Sequence, residues 1–214
     1  MNSRRMLGLS TLVLLSPAAM AAEYTAEEVW SASGSDTQTG FGYALAVGDF
    51  NGDALHDLAV GSSSSCTDET QIKGCVEVFL GTADSFESTP AWSVSGDTTT
   101  FAGRRLSAGD VNNDGFDDLL ITPGADADSE LYLGGTELFA SEPAWTWMSS
   151  ADFLPEGVIV GEMDGDDFLE IAVSDGASQT VEIFSGTLEA VTADYSITNT
   201  DHAMFGLKLS LIHI

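Results

Sequence analysis

The 214-residue chain carries 34 Asp plus Glu against six Lys plus Arg, a formal net charge of −28, yet 43% of its residues are hydrophobic. That apolar fraction supplies a substantial core and excludes a disordered acidic tail. The charge excludes nucleic acid and anionic membranes as partners and favours cations.

In chain order, residues 1–21 read as a secretory signal peptide: a basic MNSRR start, an apolar run, and the small-x-small site Ala19-Met20-Ala21. A transmembrane anchor competes, but Ser10, Ser16 and Pro17 interrupt the run. The mature chain is therefore expected outside the cytoplasm, secreted, periplasmic or at the cell surface, with no transmembrane segment after cleavage. Residues 22–40 contain EEVWSASGSD, which matches PAWSVSGD at 90–97 and reads as an outer strand without a sheet of its own.

Three longer segments then align: FGYALAVGDFNGDALHDLAVG from Phe41, FAGRRLSAGDVNNDGFDDLLITP from Phe101, and LPEGVIVGEMDGDDFLEIAVSDG from Leu154. Their first acidic positions, 49, 110 and 162, lie 110 − 49 = 61 and 162 − 110 = 52 residues apart. Each is followed by a strand-like run ending in a Gly turn (CVEVFLGT, ELYLGGT, VEIFSGT) and by an aromatic run (AWSVSGD, AWTWMSS, ADYSITNTD). Short runs rich in Val, Leu and aromatics, separated by Gly, Asp and Ser, predict four-stranded meanders with little or no helix. Sheets repeated at this period bury their faces by stacking on one another, which predicts a β-propeller over a sandwich. The expected blades are 41–100, 101–153 and a degenerate 154–203, with 204–214 opening a fourth. About three blades do not close a ring, so the sequence reads as a piece of a larger propeller, and LIHI at 211–214 stands where a further strand end and loop are expected.

Cys66 and Cys75 flank a polar segment between two strand-like runs. In an exported chain they are expected to form a loop-closing disulfide, a contribution of about 2 to 3 kcal/mol. A thiolate metal site would need more Cys or His partners nearby.

The acidic stretches share one pattern. Asp49, Asn51, Asp53 and Asp57 occupy positions 1, 3, 5 and 9 of the first loop; Asp110, Asn112, Asp114 and Asp118 those of the second; Glu162, Asp164, Asp166 and Glu170 those of the third. Hard oxygens at alternate positions of a tight loop converge on one centre, and Ca²⁺ takes six to eight of them with tolerant geometry. Backbone carbonyls of Leu55, Phe116 and Phe168 at position 7 are the expected further ligands, so up to three calcium sites are predicted. An EF-hand does not fit, because Val60, Ile121 and Val173 replace its position-12 Glu. The competing reading makes Asp and Asn simple turn formers. Gly115 at position 6 of the second loop, against Ala54 and Asp167, places the best site at 110–118, then the first loop, then the third.

Phe-Gly, then Gly-Asp-x-Asn-x-Asp, then Asp-Leu-Ala-Val-Gly resembles the FG-GAP repeat, the blade unit of the integrin α-subunit propeller that also occurs in secreted bacterial proteins. The first repeat matches best, with Phe41-Gly42 and Asp49 to Asp57; Ala102 separates Phe101 from Gly103, and the third repeat replaces Phe-Gly by Leu154-Pro155. The resemblance implies a bacterial, secreted member, a seven-bladed parent propeller, and calcium loops on one rim.

Two functional classes follow. One is a calcium-stabilised adhesion or interaction module for an extracellular or surface protein or glycan. The other is the catalytic or non-catalytic propeller part of a secreted hydrolase or lyase. No Gly-x-Ser-x-Gly elbow or His-Glu-x-x-His motif is present, so no catalytic residues are assigned. His56, His202 and His213 read as incidental. Trp30, Trp92, Trp145 and Trp147 recur periodically, which favours packing between blades over glycan stacking.

Overall fold

The computed structural model describes residues 30–34, 40–63, 74–96, 102–123, 128–147, 156–159, 161–175, 179–187 and 193–198. The expected signal peptide at 1–21, Cys66, Phe101, His202 and the last sixteen residues lie outside them, as does most of the expected N-terminal strand. The sheets all lie within the unit Ala32–Ile214.

Among the described residues, twelve strands form three four-stranded antiparallel meanders. The first sheet contains β1 (Phe41–Gly48), β2 (Asp57–Ser62), β3 (Cys75–Phe79) and β4 (Trp92–Ser95). The second contains β5 (Arg105–Gly109), β6 (Asp118–Thr122), β7 (Ser129–Tyr132) and β8 (Trp145–Trp147). The third contains β9 (Glu156–Ile159), β10 (Ile171–Asp175), β11 (Thr180–Phe184) and β12 (Tyr195–Thr198). Among the described residues there is no helix. These sheets are all-β propeller blades, as expected from the repeats.

In the first two blades the register repeats with the sequence: Val47 pairs with Leu58 and Ala108 with Leu119, so their acidic loops join the first two strands at the same point. In the third blade Ile159, three residues before Glu162 rather than two, pairs with Ile171, one residue out of that register. Because cross-strand partners share a face, the second blade presents one apolar face to the first blade and the other to the third. The first inter-blade core joins Ala46, Ala59, Val76 and Val78 to Leu119, Ile121, Tyr132 and Phe139. The second joins Leu120, Leu131 and Trp145 to Ile159, Ile171, Val173 and Phe184.

The outer strands close these seams with aromatics. Trp92, Trp145 and Tyr195 are equivalent, pairing with Val78, Leu131 and Ile183 respectively. Trp92 meets Tyr132 at 5.2 Å and Phe139 at 5.0 Å between ring centroids, and Trp145 meets Phe184 at 5.2 Å. The Trp147 Nε1–H donates to Glu182 Oε2 at 2.8 Å. Three of the four tryptophans thus serve the blade seams, as their periodicity predicts. Tyr195, at the far face of the third blade, is 58% exposed.

The blades approach closely where glycine permits. A Cβ on Gly61 would stand 2.1 Å from the Gly103 carbonyl oxygen, and one on Gly103 would stand 2.1 Å from that of Cys75. Gly42 and Gly103 both adopt positive φ, 79° and 77°. The extra Ala102 in the second repeat therefore leaves the Phe-Gly glycine in its conformation.

Candidate metal centre

The three acidic loops share one backbone. Positions 4 and 6 are left-handed in each: Gly52 and Ala54 (75° and 67°), Asn113 and Gly115 (54° and 90°), Gly165 and Asp167 (92° and 72°). Glycine takes one of the two positions in every loop, and Asn, Asp or Ala the other. This bend aims successive N–H groups at the loop interior.

In the first loop those N–H groups meet aspartate oxygens. Asp49 Oδ1 accepts from Gly52 and Asp53 at 2.8 and 3.1 Å, and Oδ2 accepts from Ala54 at 2.9 Å. Asn51 Oδ1 accepts from the Asp53 N–H, its amide donates to Asp53 Oδ2, and Asp53 Oδ1 accepts from Leu55. The second loop repeats the set: Asp110 accepts from Asp114 and Gly115, Asn112 is bonded to Asp114, and Asp114 accepts from Phe116.

Position 9 acts as a pin in these two loops. Asp57, buried, accepts from Phe50 at 3.1 Å and from Gly81 at 2.8 Å, tying its own loop to the turn after β3. Asp118 accepts likewise from Val111 and Gly134, both at 2.9 Å. Burial raises the pKa of both carboxyls, against the pull of those two N–H groups and with help from the neighbouring aspartates. For Asp118 the result is about 7.

The third loop differs. Glu162, Asp164 and Asp166 bring ligand oxygens within 4.8 Å of one another, all three side chains exposed. The Gly165 N–H donates to Glu162 Oε1, the Phe168 N–H to Asp166 Oδ1, and Ser185 Oγ stands 3.4 Å from Asp166 Oδ2. Glu170 is 2% exposed, and among the described residues neither of its carboxylate oxygens has a hydrogen-bond partner. Burial raises its pKa first; the Met163 N–H pulls the other way without reaching hydrogen-bond geometry, and Asp164 and Asp166 add repulsion. A cluster of carboxylates beside a buried, unpartnered one fits a hard divalent cation, which takes oxygen ligands and offsets their mutual repulsion. The converging carboxylates thus lie in the loop ranked last from sequence. The reason is that asparagine holds position 3 in the other two and their short aspartates reach the loop's own N–H groups.

Position 7 contributes Leu55, 37% exposed, and Phe116, whose ring lies under Gly52 of the preceding blade; Phe168 is half-buried. His56, at position 8, is exposed. Its counterpart Asp117, which the repeat pattern did not single out, links two loops: Oδ2 accepts from Asp49 N–H at 2.7 Å, and its own N–H donates to Asp49 O at 2.9 Å. Gly135 N–H donates to Phe50 O, and Leu169 N–H to Val111 O, so each of the first two loops rests on the next blade. The Asp117-Asp118 doublet was the available sequence signal.

Comparison with known proteins matches residues 49–121 to the FG-GAP-like repeat. The chain is 31% identical to human integrin alpha-7 over 102 residues, 47% of this chain and 9% of that protein. It is 30% identical to Xenopus laevis integrin alpha-5 over 140 residues, 63% and 13%. It is 42% identical to human phosphatidylinositol-glycan-specific phospholipase D over 83 residues, 38% and 10%. The chain spans about a tenth of the length of these relatives.

Proposed function

We propose, for an FG-GAP repeat protein whose propeller blades are integrin-α-like, that the acidic rim binds Ca²⁺ and that the blades form an exported interaction module for an extracellular or surface protein or glycan. The gathering of Glu162, Asp164 and Asp166 beside buried Glu170 carries the metal part of this reading. Asp49 to Asp57 and Asp110 to Asp118 are its further candidate sites. A cation that binds the folded blades and not the unfolded chain stabilises them by mass action. The interaction role rests on the likeness to integrin α subunits, and export rests on the signal-like start. Among the described residues no helix is long and apolar enough to cross a membrane. The Cys66–Cys75 disulfide belongs to the same reading, and peptide mapping without reductant tests it.

Titration calorimetry with Ca²⁺ tests the metal. Binding in the micromolar to millimolar range, with a matching rise in thermal stability, is the expected result. Absence of both heat and thermal shift refutes it. The likeness to a phospholipase D keeps a second reading, in which the blades belong to a secreted hydrolase. Release of product from a glycosyl-phosphatidylinositol substrate by the purified chain would favour it over the interaction module.

A further inference from the structure

We propose that Asn51–Gly52 is a deamidation site kept latent by the second blade, so that covalent change at Asn51 marks chains whose first blade seam has opened. Asn51 alone among the asparagines of the chain is followed by glycine. The reaction consumes only water. The Gly52 nitrogen, giving up its proton, attacks the Asn51 side-chain carbonyl carbon, and the side-chain nitrogen leaves as ammonia. The succinimide so formed adds water at either carbonyl to give aspartate or isoaspartate. Glycine is the least hindered successor because no Cβ stands beside the attacking nitrogen. Asn112 is followed by Asn113, which carries one.

In the folded loop both reacting groups are engaged elsewhere. The Gly52 N–H donates to Asp49 Oδ1 at 2.8 Å. The Asn51 amide is bonded at both ends to Asp53, its Nδ2 donating to Oδ2 at 3.1 Å and its Oδ1 accepting from the Asp53 N–H at 3.0 Å. Swinging the Asn51 carbonyl carbon onto the Gly52 nitrogen breaks all three bonds. The second blade holds this arrangement from outside. Asp117 Oδ2 accepts from the Asp49 N–H at 2.7 Å and the Asp117 N–H donates to Asp49 O at 2.9 Å, fixing the residue that holds Gly52. The Phe116 ring packs on Gly52 itself, since a Cβ built there would stand 2.5 Å from it. Deamidation therefore proceeds from the undocked loop, at a rate set by how often the loop opens.

The product opposes redocking. Either acid replaces the Nδ2 donor with a carboxylate oxygen facing Asp53, so a hydrogen bond gives way to like-charge repulsion. Isoaspartate also lengthens the main chain by one carbon beside the Gly52–Phe116 contact. Opening of the seam is thus converted into a lasting change that loosens the same seam.

Peptide mapping by mass spectrometry of the full chain, aged at mildly alkaline pH in EDTA, follows deamidation at Asn51, with the same chain unfolded in urea as reference. The folded chain is expected to react ~10-fold or more slowly than the unfolded one. Phe116→Ala and Asp117→Ala should each raise the folded rate ~3-fold or more, with Asn112 unchanged. A folded chain that deamidates as fast as the unfolded one would overturn the proposal. So would variants that remain folded by circular dichroism yet react at the parent rate, and Asp117→Ala carries this arm if Phe116→Ala does not fold. With EDTA in every arm, the outcome is independent of the cation reading above.

Discussion

Truncating Trp145 to Ala tests whether the blade seams hold the molecule together. Trp145 is 8% exposed and packs its ring against Phe184 of the next blade. Removal of a buried Trp side chain costs about 3 to 5 kcal/mol, of which the aromatic pair accounts for about 0.5 to 1.5. Tyr195 holds the equivalent place but is 58% exposed, so Tyr195→Ala should cost about 1 kcal/mol or less. Against a total of about 5 to 15 kcal/mol the first change is severe and the second minor. Since stacked repeats are stabilised by nearest-neighbour interface terms, the loss should fall on the second seam. Urea unfolding followed by far-ultraviolet circular dichroism, with Ca²⁺ held constant, measures both. Equal costs for the two substitutions, or less than about 1 kcal/mol for Trp145→Ala, would refute the assignment of Trp145 to an inter-blade contact.

Two further predictions concern the loops. In EDTA, stability should fall as pH rises from about 4 to about 7, because Asp118 has a folded pKa of about 7 against 3.8 unfolded and so binds its proton more tightly when folded. The shift sets a ceiling of about 4 kcal/mol, and Asp57 and Glu170 act in the same direction. Saturating Ca²⁺ should flatten the profile; a cation-free chain that gains stability over this range would contradict the burial of these carboxyls. Ala54→Gly should stabilise the first loop by about 0.5 kcal/mol or more, since Ala54 sits at φ 67°. Asp167→Gly should gain less, because Asp tolerates that conformation better, and thermal melts of the two variants provide the comparison.

Strand positions were legible because each short run of Val, Leu and aromatics is bounded by Gly or Asp, and the repeats supplied three readings of the same pattern. The seam role of the tryptophans was legible from their period. Less legible was how the loops differ. Counting carboxylates and favouring Gly115 ranked the second loop first, yet its left-handed bend is shared with Ala54 and Asp167. What separates the loops is how position 9 is held: Asp118 meets two N–H groups and Glu170 neither, and the third blade pairs Ile159 with Ile171, one residue out of the register of the second, which no local pattern in the sequence announces. The bridge from Asp117 to Asp49 was hidden for another reason, since its partners are 68 residues apart and no local pattern joins them.

That separation imposes a schedule on synthesis. As the chain leaves the ribosome, the first sheet can pair its own strands as soon as Ser95 has emerged, but Asp49 O and Phe50 O wait for the N–H groups of Asp117 and Gly135. At translation rates of about 5 to 20 residues per second, the 68 residues between Asp49 and Asp117 impose a delay of roughly 3 to 14 seconds. The first two loops therefore mature one blade behind their sheets, and each remains open to the surrounding medium until the next blade has been made.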